Sequence, residues 1–165
     1  MPALSLTLPV RQLVEFLLRT GSIDNRFTGF DRALEGARLH RKLQKEAVAA
    51  HPDYSAEVSL RHTLTAAEVE YTIEGRADGI FTAPDGIVTI DEIKTTALPA
   101  DAITGEQSPE HWAQGQVYAF IYGVQHNLPR LRVQLTYYQV DEELTLRFSR
   151  DHTIGELTGI VTGLL

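Results

Sequence analysis

No cysteine occurs anywhere in the 165-residue chain. Disulfides, thiolate zinc sites, cysteine-ligated iron–sulfur clusters and a cysteine nucleophile are therefore excluded within these residues, which fits a reducing compartment. Long apolar runs are missing too. No stretch approaches the ~20 residues that cross a bilayer, and Met1 to Arg11 has no basic segment leading into an apolar one. Neither secretion nor a membrane partner is expected, and the cytoplasm is the expected location. Positive charge is not in excess: 15 Lys and Arg stand against 22 Asp and Glu, for a net charge of -7. That balance argues against a surface that coats nucleic acid, because counterion release needs clustered cations facing phosphates. There is also no P-loop, no serine nucleophile elbow, no His-Glu-x-x-His helix and no internal repeat. ATP hydrolysis at a P-loop and the common serine and zinc hydrolases are thereby removed.

What is present fits one domain, residues 1–165, long enough to bury a core. Leu13, Val14, Leu17 and Leu18 recur at helical spacing within Val10 to Thr20, with Gly21 placed to stop the helix. A polar loop through Asp24, Asn25 and Gly29 leads to a second helix over about Asp31 to Ala50, with Pro52 beyond its end. Tyr54, Ala56, Val58 and Leu60 alternate with polar residues, the period of a half-buried strand. Further strands are expected over Val69 to Phe81 and Ile87 to Thr95, joined through the turn Ala83-Pro84-Asp85-Gly86. After a loop with Pro99, Gly105 and Pro109 come a long helix, about Glu110 to His126, and strands over Leu131 to Val140 and Leu144 to Phe148. A last helical segment starts near Asp151, and the apolar end Ile160 to Leu165 reads either as a docked helix or as a cut from a longer protein.

Asp78 lies in the run Gly75-Arg76-Ala77-Asp78-Gly79, and Ile90-Asp91-Glu92-Ile93-Lys94-Thr95 follows a hairpin later. Strand alternation puts Val88, Ile90, Glu92 and Lys94 on one face and turns Asp91 and Ile93 away. An apolar row therefore ends in an acid and an amine, which are costly to bury unless paired or bound to a metal. Phosphodiester hydrolysis requires neutralised phosphate charge, an activated water and a stabilised leaving group. Two carboxylates on adjacent strands, Asp78 and Glu92, form a minimal oxygen platform for Mg²⁺ or Mn²⁺. Lys94 adds a point charge with three donors for the water or the phosphate. On spacing alone, an exposed ion-paired sheet edge accounts for the same triplet.

Arg38, Arg41, Lys42 and Lys45 form a basic stripe at helical spacing, which reads either as a phosphate track or as a solvated face. Glu57, on the polar side of the first alternating run, is a candidate additional metal acid or an ordinary exposed glutamate. Arg76 is a candidate carboxylate or phosphate partner.

The runs Gly36-Ala37-Arg38-Leu39-His40, Gly75-Arg76-Ala77-Asp78, Asp91-Glu92-Ile93-Lys94-Thr95 and Gln114-Gly115-Gln116-Val117-Tyr118 together make the chain resemble the PD-(D/E)XK nuclease superfamily, RecB-type branch. Ala77 stands where the superfamily's name has proline. The resemblance implies an α/β, restriction-endonuclease-like core, a mixed central sheet flanked by helices. It implies His40, Asp78, Glu92 and the Ile93 carbonyl as metal ligands for Mg²⁺ or Mn²⁺, a catalytic Lys94, and Gln114 with Tyr118 on the DNA-side rim. Val10 to Phe16, Ile90 to Thr96 and His111 to Gln114 further resemble the N-terminal nuclease domain fused to bacterial DNA-repair helicases of the XPD-like, iron–sulfur type. This implies single-stranded or branched DNA as partner and a helicase domain downstream in the same polypeptide. A catalytically silent DNA-binding module guiding a helicase is the alternative from another class. Hydrolysis of RNA or a small phosphodiester would use the same ligands.

Overall fold

The computed structural model describes residues 4–18, 30–106 and 108–165. The helix stop expected at Gly21 and the polar loop through Asp24, Asn25 and Gly29 lie outside them. Element order is β1 Leu4–Pro9, α1 Val10–Leu17, α2 Phe30–Ala50, β2 Ser55–Ala66, β3 Val69–Thr82, β4 Val88–Thr96, a 3-10 turn Ala100–Ala102, α3 Pro109–Gln125, β5 Arg130–Gln139, β6 Leu144–Thr153 and α4 Ile154–Leu164. The strands form one mixed six-stranded sheet in the order β1-β3-β4-β5-β6, with β2 on the other edge of β3. Helix α3 follows β4 and returns the chain to β5, which lies parallel to β4. A parallel pair needs such a crossover, since no tight turn can join parallel neighbours.

The two sheet faces are covered unequally. Helices α1, α3 and α4 pack the larger core, where Ile73, Ile90, Val117, Ile121, Val133, Leu135 and Leu157 are almost completely buried. On the other face α2 contributes Leu39 and Leu43 against Ile93 and Tyr138. Residues of β4 divide as their alternation requires, with Ile90 toward α3 and Ile93 toward α2.

Three elements differ from the sequence expectation. Strand β1 was not anticipated, although Leu4, Leu6 and Leu8 alternate; it runs parallel to β3 with its residues mostly exposed, so burial adds little contrast to the pattern. Strand β6 continues beyond Phe148 to Thr153, because its polar residues stay paired to β5 as far as Arg130↔Thr153. Helix α4 accordingly starts at Ile154 rather than near Asp151, where Thr153 and Glu156 form a reciprocal capping box. The turn after β3 is as expected: Gly86 donates its N–H to Ala83 O and takes a φ of 88°, which glycine adopts without steric cost. No helix among the described residues is long and apolar enough to cross a membrane.

Candidate active site

The register of the sheet opens a gap at its centre. Strand β2 occupies one edge of β3 over its length, so β1 and β4 share the other edge. Pairing with β1 ends at Pro9↔Glu74 and pairing with β4 begins at Gly79↔Asp91. Residues 75–78 of β3 thus have no ladder partner on that side.

Where the strands fork, side chains take over the main-chain donors. The Asp78 N–H donates to Glu92 Oε2 at 3.1 Å, and the Ile93 N–H donates to Asp78 Oδ2 at 2.7 Å. Each strand contributes a carboxylate to the other's free amide, which satisfies two donors that would otherwise be buried without partners. Gln44 of α2 donates from Nε2 to the Asp78 carbonyl at 2.9 Å. Lys94 Nζ donates to Gln114 Oε1 of α3 at 2.6 Å. Asp78, Glu92 and Lys94 are therefore brought together, each held by a different element.

Glu92 is 2% exposed. Burial, reinforced by the Asp78 charge, pushes its carboxyl up to about 8, against the pull of Lys94 and the Asp78 amide. Asp91 is on the opposite face, as strand alternation requires, and accepts from Tyr54, Thr136 and Gln134. His40 Nδ1 lies 3.9 Å from Asp78 Oδ1. Burial lowers the imidazole despite that carboxylate, so His40 is neutral at pH 7 and the contact is not an ion pair. A neutral imidazole keeps a lone pair for a metal.

The donor set suits a hard cation in kind. Asp78 Oδ1 and Glu92 Oε1 are not spent on the two main-chain amides, and positive charge between the carboxylates would offset the repulsion that burial amplifies. Among the described residues no three His, Cys, Asp or Glu side chains form a metal-holding group by themselves. The fit accordingly rests on the two carboxylates of Asp78 and Glu92.

The other candidate residues are placed as follows. Glu57 stands at the register position across from Asp78, outside the ladder, with a left-handed φ of 55° and an exposed side chain whose charge acts on His40. A non-glycine residue in that conformation inside a strand is strained, and such strain concentrates at functional sites. Arg76 is exposed and makes no hydrogen bond or ion pair to Asp78 or Glu92. Arg38 pairs with Glu35 at 2.7 Å on the surface of α2, Lys42 lies over the Tyr138 ring, and Arg41 is exposed. The basic stripe is thus partly engaged within the protein. Gln114 and Tyr118 do not form an open rim: they are 7% and 3% exposed. Gln114 orients Lys94, and the Tyr118 ring lies over Gly75, where a Cβ would meet its hydroxyl at 2.5 Å. Burial raises the Tyr118 hydroxyl to about 12, so it stays protonated and available as a donor.

Sequence reasoning missed Gln44, Tyr54 and Arg11. Gln44 was findable, being four residues from His40 on one face of a helix. Arg11 is the second residue of α1, which starts where the β1 pairing ends at Pro9, and its charge acts on both His40 and Tyr118. Nothing local marks it.

No protein-family model matches the chain, and no curated protein matches it in sequence. Among solved structures, it is similar to the crystal structure of SSO0001, with a TM-score of 0.64 at 21% identity over 95% of this chain and 72% of that one. This likeness shows the fold: a mixed α/β, six-stranded sheet flanked by helices, consistent with the restriction-endonuclease-like core expected from the sequence. A phage-related exonuclease from Haemophilus somnus 129PT superimposes with a TM-score of 0.37 at 13% identity, over 94% of this chain and 78% of that one.

Proposed function

We propose that the chain is a divalent-metal-dependent DNA nuclease acting in repair or recombination. The observation that carries this reading is the fork between β3 and β4, where two mutually anchored carboxylates face a lysine held by α3. Asp78, Glu92, the Ile93 carbonyl and His40 would hold Mg²⁺ or Mn²⁺, which when bound supplies charge neutralisation at the phosphate and a more acidic water. Lys94 spends one of its three N–H donors on Gln114, leaving two for the attacking water or for charge developing on the phosphoryl group. Burial strengthens that electrostatic contribution, because the same charge acts in a lower dielectric than water. Resemblance of Val10 to Phe16, Ile90 to Thr96 and His111 to Gln114 to helicase-linked nuclease domains supports single-stranded or branched DNA as substrate and a helicase in the same polypeptide.

The test is cleavage of end-labelled single-stranded, duplex and forked DNA in Mn²⁺, Mg²⁺ or EDTA, by the parent chain and by Glu92→Ala and Lys94→Ala. Metal-dependent cutting is expected, reduced roughly 10²- to 10⁴-fold in each variant. Cleavage in EDTA, or full activity in both variants, overturns the mechanism. Binding without cleavage in every condition favours a silent DNA-binding module, and preferential cutting of an RNA control moves the substrate class.

A further inference from the structure

The last rung before the fork is Gly79↔Asp91, immediately next to Asp78 and Glu92. Tyr54, from the turn between α2 and β2, covers both halves of that rung. Its ring occupies the space above Gly79 so closely that a Cβ there would collide with the ring and hydroxyl. Its hydroxyl donates to Asp91 Oδ2 at 2.8 Å. Asp91 is 3% exposed and its other oxygen accepts from Thr136 at 2.6 Å and Gln134 at 3.1 Å. The rung is thereby gripped from β5 through Asp91 Oδ1, and from the α2–β2 turn through Oδ2. Only the second grip also touches β3.

The elements joined by Tyr54 are the ones that build the site. The α2 helix before it carries His40 and Gln44, the second of which binds the Asp78 carbonyl, and β2 after it carries Glu57. Beyond the rung, among the described residues, the hydrogen bonds to the two carboxylates come from each other's strand amides, so their separation depends on where the ladder stops. We infer that Tyr54 is a positioning residue that stops the ladder at Gly79↔Asp91 and so sets the spacing of Asp78 and Glu92 for a divalent cation. This rests on the nuclease reading above and adds to it a control of metal affinity exerted through Asp91, which points away from Glu92.

Tyr54→Phe keeps the ring over Gly79 and removes the O–H. Thr136→Val removes a hydroxyl donor to the same carboxylate without touching Gly79, so it reports what loss of an Asp91 hydrogen bond does by itself. For the parent chain and both variants, Mn²⁺ binding is titrated by calorimetry without DNA, cleavage of labelled single-stranded DNA is followed against Mn²⁺ concentration, and thermal melting is recorded. The expected result is a rise of about tenfold in the Mn²⁺ half-saturation for Tyr54→Phe, in binding and cleavage alike, with Thr136→Val matching the parent despite a comparable loss of melting temperature. Equal Mn²⁺ half-saturation in Tyr54→Phe and the parent overturns the inference, as does an equal rise in Thr136→Val. Should Tyr54→Phe be too unstable at the assay temperature, the same titrations are run below its measured melting point and read by the same criteria. A parent chain that neither binds Mn²⁺ nor cuts DNA overturns the nuclease reading itself; a parent that does both, beside an unchanged Tyr54→Phe, overturns only the role of Tyr54.

Discussion

His111 sits on the first turn of α3 with its Nδ1 2.8 Å from the Tyr137 hydroxyl, and burial, with Lys94 adding to it, pushes its imidazole down to about 3 from an ordinary 6.5. As pH falls through 6.5 the unfolded chain takes up a proton that the folded chain refuses until about 3, so His111 makes stability fall with falling pH across that window. His111→Gln is expected to flatten the denaturant midpoint between pH 6 and 4 relative to the parent. A midpoint that falls equally steeply in both proteins assigns the acid sensitivity elsewhere. Gln114 lends itself to a kinetic test. Its oxygen is the anchor seen for Lys94 Nζ, and a hydrogen bond to a charged group is worth about 1.5–3 kcal/mol. Gln114→Ala should lower kcat roughly 10- to 100-fold with KM nearly unchanged, and a change confined to KM would instead assign Gln114 to binding. The choice of Glu92 over Asp91 was legible from alternation alone. Tyr54 was not, because its role depends on a rung formed by residues distant from it in the chain.

Among elements, α3 decides how closely the covering layer approaches the sheet. Gly115 lies against β5 so tightly that a Cβ would stand 2.5 Å from Val133 Cγ1 and 3.6 Å from Glu92 Cγ. Gly115→Ala is expected to cost about 1–3 kcal/mol through overpacking, lowering Tm by roughly 2–4 °C for each kcal/mol in a chain of this size. Because the displaced helix also carries Gln114, cleavage should fall beyond what the loss of folded protein explains. Differential scanning fluorimetry beside single-turnover cleavage separates the two. Apolar content between breakers revealed α3, which is buried on every face from Trp112 to Ile121, and alternation revealed the long β strands, since burial on one face is what produces periodicity. The polar second half of β6 and the exposed β1 leave a weak trace, because edge strands are held by main-chain bonds that no side-chain pattern encodes.

At the scale of the whole molecule, an excess of acid limits how nucleic acid can be held. Within a net charge of -7, and with Arg38 paired to Glu35, Arg132 to Asp85 and Asp151, Arg150 to Glu106 and Lys42 over Tyr138 among the described residues, the cations offered to phosphates are limited, Arg11 and Arg41 among them. Binding of single-stranded DNA by Lys94→Ala in Ca²⁺ should therefore show a shallow salt dependence, with log K falling against log salt at a slope of about -2 to -3. Fluorescence anisotropy at several salt concentrations measures it, and a slope steeper than about -5 would indicate a broad basic track instead. Arg11→Ala should reduce the slope magnitude by about 0.7, the contribution of one phosphate on a single strand.

By itself the sequence determined the types of the elements other than β1, the face that Glu92 and Lys94 share, and the absence of cysteine and P-loop chemistry. These follow from side-chain period and residue type, which are local. Tertiary structure alone decided that β1 and β4 share one edge of β3 and leave residues 75–78 open between them. It also decided that Asp78 and Glu92 exchange strand amides, that Gln114 is a buried anchor for Lys94, and that Tyr54 bears on the rung behind them. The reason is register: which amide loses its ladder partner, and which side chain is near enough to replace it, is a property of paired strands and packed helices that no single stretch of chain contains.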